Sequence, residues 1–158
     1  MNFESFEDIK VLMDNFDPAS LLPDLSTVVG KVEFITRIAV MIGPILLLTL
    51  GILYFFASPR EANYRFGYRC YFGMGSEEAW RFTQRFAGLI WAVLGLVLTI
   101  VMLILTGSFA GEPIMDIIGK GVKCLLWEGG LILVSILLIN TMVMLCYDRK
   151  GMRRRNYD

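Results

Sequence analysis

Residues 86–106 read FAGLIWAVLGLVLTIVMLILT, a run without a single charged side chain. At about 1.5 Å per residue, a helix of this length crosses the roughly 30 Å hydrocarbon layer of a bilayer. Two further apolar runs flank it, FITRIAVMIGPILLLTLGILYFFA at 34–57 and LLWEGGLILVSILLINTMVMLCY at 125–147. Backbone polar groups in lipid must bond within their own segment, which predicts helices. The sequence therefore predicts an all-α membrane protein with three transmembrane helices.

The composition agrees with a membrane protein and gives no indication of catalysis. The 158 residues are 56% hydrophobic and 19% charged, whereas a soluble domain has about 45–50% apolar and about 25% charged residues. The chain has no histidine, and its three cysteines lack the spacing of metal ligands. No paired acids or nucleophile motif stand out. We therefore expect no enzyme activity, no metal or other cofactor and no nucleic-acid partner.

Charge is segregated along the chain although the formal net charge is zero. Residues 1–33 carry seven acids against two lysines, residues 58–85 carry five arginines against three acids, and the tail 148–158 is basic. Lysine and arginine accumulate on the cytoplasmic side of membrane proteins. This pattern predicts that the loop 58–85 and the tail lie inside and that the N-terminus lies outside. The predicted location is the inner (cell) membrane of a bacterium.

The segments outside the spans divide the chain into an arm, a bundle at 34–147 and a tail. Residues 3–16 of the arm 1–33, FESFEDIKVLMDNF, have apolar residues at helical spacing and predict an amphipathic helix. Its polar face is acidic rather than basic, which favours docking onto protein over binding to anionic lipid. A short helical stretch after Pro23 is expected to lead into the first span. Residues 107–123 are predicted to form an outer loop with one interfacial turn.

The loop 58–85 contains NYRFGYRCYFGMG at 63–75, followed at once by SEEAWRFTQRFAG. Topology explains its arginines but not its glycines and aromatic residues. Ser76 has the character of a helix N-cap, with acids in the first helical turn. Trp80 is expected to anchor the re-entering helix at the membrane interface. The loop therefore predicts a rigid cytoplasmic cap, which either holds the fold or binds a partner.

This loop resembles the signature of the SdpI-type immunity proteins, a family of bacterial multi-pass membrane proteins. The family pattern is Asn-x-x-x-Gly-x-Arg, a spacer, Ser-x-Glu-x-Trp and then a glycine in the following helix. The matching positions are Asn63, Gly67, Arg69, Ser76, Glu78, Trp80 and Gly88. Two positions depart from the pattern, because Cys70 stands where threonine is common and Gln84 where asparagine or histidine is common.

The resemblance implies a membrane protein that protects a bacterium from a secreted toxic peptide. It also implies signalling, through capture of a cytoplasmic regulator by the peptide-loaded protein. The expected partners are the lipid bilayer and a toxin peptide or other attacking membrane factor. Under this hypothesis the motif positions are structural and recognition residues, and the protein acts by sequestration.

A different function stays open from the residues alone, namely a small accessory subunit of a larger transport or secretion complex. The acidic arm favours it, as does a stripe of small residues on the second span, Gly88, Ala92 and Gly95. A homo-oligomer also stays open.

Two polar residues inside the third span are further candidates. Glu128 is either a functional acid or a side chain that reaches the outer interface. Asn140, together with Ser135, is expected to make hydrogen bonds between helices.

Overall fold

The computed structural model describes residues 25–62 and 65–154. The helix predicted at 3–16 lies outside the described residues. Three α-helices follow one another, α1 (Leu25–Phe56), α2 (Glu77–Gly107) and α3 (Ile114–Cys146). All three are long and apolar enough to cross a membrane. The described residues contain no β-strand, so the prediction of an all-helical chain with three spans is confirmed.

The helices begin earlier than the apolar runs indicate. Helix α1 starts at Leu25, so the last part of the predicted arm is continuous with the first span. Helix α3 starts at Ile114, which leaves only residues 108–113 as a link. The prediction of an outer loop at 107–123 was therefore wrong. The Pro113 carbonyl accepts from the backbone N–H of Asp116 and Ile117, which starts the helix directly after the proline.

Helices α1 and α2 pack closely along their small residues. A methyl group added at Gly88 would lie 2.6 Å from the backbone nitrogen of Phe55, and one added at Gly95 would collide with Leu48. Gly51 of α1 lies against the backbone of Ala92 in the same way. The small-residue stripe of α2 is thus occupied within the chain. Close packing of this kind stabilises helix pairs in lipid, because the hydrophobic effect does not drive helices together there and van der Waals contacts must do so.

The buried side chains form two clusters, one near each end of the bundle. One cluster holds Val40, Leu98, Met102, Phe109 and Ile117, near the link between α2 and α3. The other joins the loop between α1 and α2 to the last turns of α3. Large apolar side chains remain exposed along all three helices, as expected for surfaces that lipid covers.

Candidate functional site

The second buried cluster lies beneath a structure that we call the cap. The cap consists of the loop 57–76 and the tail hairpin, residues 147–153, at the end of the bundle where α1 ends and α2 begins. Only residues 63 and 64 of the loop lie outside the described part. The side chains that hold the cap come mainly from one face of the first turns of α2.

Trp80 joins the beginning of the loop to its middle. Its ring is fully buried, and its indole Nε1–H donates to the backbone oxygen of Pro59 at 2.9 Å. Gly67 lies on the ring with φ of +121°, a backbone conformation that residues with a side chain rarely adopt. A Cβ at this position would lie 2.7 Å from Cζ2 of Trp80. The expected role of Trp80 as an anchor at the membrane interface was therefore wrong, because the ring is enclosed by the loop.

Gln84 binds the backbone of Tyr68 with both ends of its side-chain amide. The amide oxygen accepts from the Tyr68 N–H at 2.8 Å, and the amide nitrogen donates to the Tyr68 carbonyl at 2.7 Å. Two residues that face each other in an antiparallel sheet exchange the same pair of hydrogen bonds. The Gln84 side chain thus takes the place of a neighbouring strand. Gln84 is fully buried. The sequence marked it only as a departure from the family pattern.

Tyr68 carries the loop across to α3. Its hydroxyl donates to Oδ1 of Asn140 at 2.9 Å, and its ring meets that of Trp91 edge-on at 5.3 Å. Burial, and then the neighbouring Cys70 thiol, raise the pKa of Tyr68 to about 12. Asn140 therefore bonds to the loop, where a bond to another helix was expected. Ser135 does bridge two helices as predicted, because it accepts from the Trp91 indole N–H at 3.1 Å.

The second half of the loop packs on Thr83, which precedes Gln84 in α2. The Cys70 thiol bonds to the Thr83 side chain and to the backbone of Gly73 and Phe72. Burial raises the pKa of this thiol, and these hydrogen bonds offset the rise only in part. A Cβ on Gly73 would lie 2.5 Å from Oγ1 of Thr83. The departure at Cys70 is thus a small, partly buried group that contacts Thr83 under the loop.

Ser76 holds the loop to the tail. Its side chain accepts from the backbone N–H of Ala79 at 3.1 Å, which confirms the predicted N-cap of α2. The same hydroxyl donates to the carbonyl oxygen of Gly151 at 2.6 Å. Gly75 and Gly151 touch backbone to backbone, and Gly151 has φ of +72°. A residue with a side chain at either glycine would separate the tail from the loop.

The described part of the basic tail is folded rather than extended. Asp148 accepts through Oδ1 from the backbone N–H of Lys150 and of Met152, and Tyr147 pairs with Arg153 as an isolated antiparallel bridge. This hairpin was not among the structures predicted from the sequence. The signal was present in Asp148-Arg149-Lys150-Gly151, because aspartate at the first and glycine at the fourth position is typical of a type I turn.

The six motif positions that the structure describes do not form one pocket. Gly67 and Trp80 are in contact, Ser76 and Glu78 face the tail, and Gly88 packs on α1. The Glu78 carboxylate accepts from the Tyr147 hydroxyl at 3.4 Å, and burial followed by this carboxylate raises the pKa of Tyr147. Arg69 is exposed, and its role stays a prediction. Asn63 lies outside the described residues.

Glu128 does not reach outward to an interface. It is 3% exposed and lies against Gly43 of α1, where a Cβ would come within 2.7 Å of its Oε2. Its Oε1 has no hydrogen-bond partner within the described part of the chain. Pro44, next to Gly43, is also fully buried. An acid in such a place is costly in a membrane protein and marks a position of interest.

A groove opens between α2 and α3 at the end of the bundle opposite the cap. Its volume is about 460 Å³. Its walls are almost entirely apolar and include Met102, Leu105, Trp127 and Leu131, whereas Lys120 and Lys123 lie on the side toward the link. The described residues contain no group of three histidine, cysteine, aspartate or glutamate side chains placed to hold a metal ion. The absence of a cofactor therefore stays a prediction.

Comparison with known proteins identifies the family. The SdpI/YfhL protein family model matches residues 60–148, more than half of the chain, including the loop, α2 and α3. No curated protein matches the chain, and no solved structure does. The predicted resemblance is thereby confirmed. The matched range includes Gly67, Trp80 and Gln84, whereas residues 57–59 of the loop and 149–153 of the tail hairpin lie outside it. This chain is a multi-pass membrane protein that belongs to the SdpI/YfhL family.

Proposed function

We propose that this protein protects the bacterial inner membrane by binding a secreted membrane-active peptide, and that it performs no catalysis. The family match is the observation that supports the proposal, because it covers most of the cap loop and two of the three spans. In the proposed orientation the cap faces the cytoplasm, since residues 58–85 and 148–158 at this end of the chain's spans hold nine of the ten arginines. The groove between α2 and α3 then opens toward the outer leaflet, where a secreted peptide arrives.

The groove has the chemistry to hold the apolar face of such a peptide. Leu105 and Trp127 are 43% and 72% exposed, so they are open to a ligand that enters from the lipid. Lys123 lies at the rim and is exposed, whereas Lys120 is paired with Glu112 at 2.9 Å. A peptide helix with an apolar stripe would replace lipid contacts with protein contacts along this groove. Sequestration there would keep it from assembling in the bilayer.

A challenge experiment tests this function. The chain is expressed in a sensitive bacterium that is exposed to the secreted peptides encoded beside its gene, and survival is measured. Leu105→Trp fills the groove and should abolish protection, although the amount of the protein in the membrane stays the same as for the wild type. Leu126→Trp is the matched control, because Leu126 is 71% exposed on α3 and does not line the groove. It should protect like the wild type.

The same experiment separates this function from the role of an accessory subunit. If no neighbouring peptide is neutralised while affinity purification yields a stable complex with transport or secretion proteins, the immunity proposal is wrong. One of the two reasons for the subunit role has weakened, because Gly88 and Gly95 already pack on α1. That stripe therefore needs no partner from another protein.

We also propose that the exposed face of the cap binds a cytoplasmic regulator when the groove is occupied. Arg69 is exposed on the loop, and the loop is tied through Tyr68 to α3, one wall of the groove. Arg69→Ala should therefore lower capture of the regulator without changing survival of the peptide challenge. Equal capture by the wild type and Arg69→Ala would exclude this arginine from the binding surface.

A further inference from the structure

A cavity of about 1140 Å³ lies beside the cap, between the end of α1, the first turns of α2 and the tail hairpin. Its walls differ in character from one side to the other. Arg81, Arg85 and Arg153 contribute the basic side, whereas Phe55 and Leu89 belong to the apolar side. These arginines are not motif positions, and topology is the only role that the sequence gives them. The function proposed above does not use them.

Two of the three arginines have no carboxylate partner within the described part of the chain. Glu77 pairs with Arg81 at 3.7 Å, and Glu78 accepts from Tyr147. Both acids that line the cavity are therefore engaged. This leaves Arg85 and Arg153 as positive groups at the mouth of a cavity, which favours an anionic ligand.

The position of Arg153 is fixed by the fold. The tail hairpin places it by the bridge between Tyr147 and Arg153, and the bond from Ser76 to Gly151 holds the hairpin on α2. Tyr147 also packs on Phe82 with ring centroids 5.5 Å apart. Arg153 on the tail and Arg85 on α2 therefore face one cavity from two elements that are joined to each other.

The apolar side of the cavity is continuous with the surface that lipid covers. Phe55 and Leu89 are 40% and 51% exposed, and they belong to the apolar faces of α1 and α2. A ligand that fills the cavity must therefore be anionic at one end and apolar at the other. A soluble phosphate would leave the apolar wall uncovered, and a polar peptide would do the same.

We propose that this cavity binds an anionic phospholipid of the leaflet on the cap side, which the arginine count assigns to the cytoplasm. Arg85 and Arg153 contact the phosphate group, and the acyl chains lie along Phe55 and Leu89. Such a lipid would link the tail hairpin to the start of α2 through Arg153 and Arg85. The hydrogen bond from Ser76 to Gly151 already links the same two elements. The inference is independent of the protection proposed above.

Lipid retention by the purified full-length protein tests this site. Native mass spectrometry compares retained phosphatidylglycerol with phosphatidylcholine of the same acyl chains. The wild type should prefer phosphatidylglycerol. Because each basic residue near a lipid surface contributes a factor of about five, Arg85→Gln with Arg153→Gln should lower that preference by roughly 30-fold. Arg149→Gln with Lys150→Gln removes the same charge from hairpin residues that do not line the cavity, and should change it little.

Several results would overturn the proposal. Equal retention of the two lipids by the wild type would exclude an anionic site, and an unchanged preference in the Arg85 and Arg153 double variant would place the site elsewhere. Glycerol phosphate that competes as well as the whole lipid would assign the cavity to a free phosphate ligand. No peptide challenge enters this measurement, so its failure leaves the protection proposal standing.

Discussion

Replacing Gln84 by methionine should release the loop from the bundle. Methionine has a similar volume and keeps the core filled, but it offers neither the donor nor the acceptor that Tyr68 requires. Each buried polar group left without a partner costs roughly 1–3 kcal/mol. Because one change leaves two such groups without a partner, the variant should lose roughly 2–6 kcal/mol of stability.

Two readouts measure this loss. The apparent melting temperature of the protein in detergent should fall by roughly 4–24 °C at the usual 2–4 °C per kcal/mol. The second readout reports on the loop itself, because the Cys70 thiol lies under it beside Thr83. With Cys124 and Cys146 replaced, Cys70 should react with maleimide faster in Gln84→Met than in the parent.

The matched control is Thr99→Val on the same helix. The Thr99 hydroxyl donates to the Gly95 carbonyl of its own helix at 2.7 Å. Its loss therefore leaves no backbone group of the loop without a hydrogen-bond partner. The unfolding free energy of this variant should lie within about 0.5 kcal/mol of that of the parent. The rate at which Cys70 reacts with maleimide should be unchanged. If Gln84→Met behaves like Thr99→Val in both measurements, the side-chain clamp does not hold the loop.

Three further perturbations test other parts of the cap. Gly67→Ala should cost roughly 1–3 kcal/mol from the positive φ alone, with added crowding against Trp80, and normal melting would show that the loop relaxes freely. Ser76→Ala should cost roughly 1–2 kcal/mol through the lost N-cap, and should free the tail for limited proteolysis after Lys150; an equally protected tail would contradict the Ser76–Gly151 link. Tyr68 stabilises the fold fully below pH 10, and its contribution should be lost as the pH rises from 10 to about 12, because the native state holds this proton more tightly than the unfolded chain. The phenolate absorbance difference between wild type and Tyr68→Phe should therefore appear near pH 12, and a midpoint near 10 would contradict burial.

The three spans could be predicted because lipid imposes a simple rule on the sequence. A charge-free run such as 86–106 must bond its own backbone, and only a helix of sufficient length does so. The same argument fails at the helix ends. Leu25 and Ile114 start helices outside the apolar runs. In this added part of the third helix, Gly121 packs on Thr36 of α1, a contact that no local sequence pattern contains.

The cap could be predicted only in outline. The Ser76 hydroxyl predicts a helix N-cap from its chemistry alone. The family pattern includes Gly67 and Trp80 but does not predict that they are in contact. The roles of Gln84 and Asn140 depend on where Tyr68 lies in space. No local pattern contains that information, because the partners are 16 and 72 residues apart in the chain.

The intramembrane acid illustrates a third kind of limit. Glu128 stands beside Gly129 and Gly130, which permits a flexible outer end when only the sequence is considered. The structure instead turns it against Gly43 and leaves both following glycines open. Which face of α3 meets α1 depends on the packing of the whole bundle, since the helix is apolar on nearly every side.

The protection and signalling proposals depend on the predicted orientation of the bundle, and single-cysteine labelling measures that orientation directly. Lys150→Cys on the tail hairpin and Ala110→Cys on the link between α2 and α3 are both exposed positions at opposite ends. In a background without the native cysteines, a membrane-impermeant maleimide added to intact cells should label position 110 and not position 150. Labelling of position 150 from outside would place the cap in the path of the peptide and contradict the account.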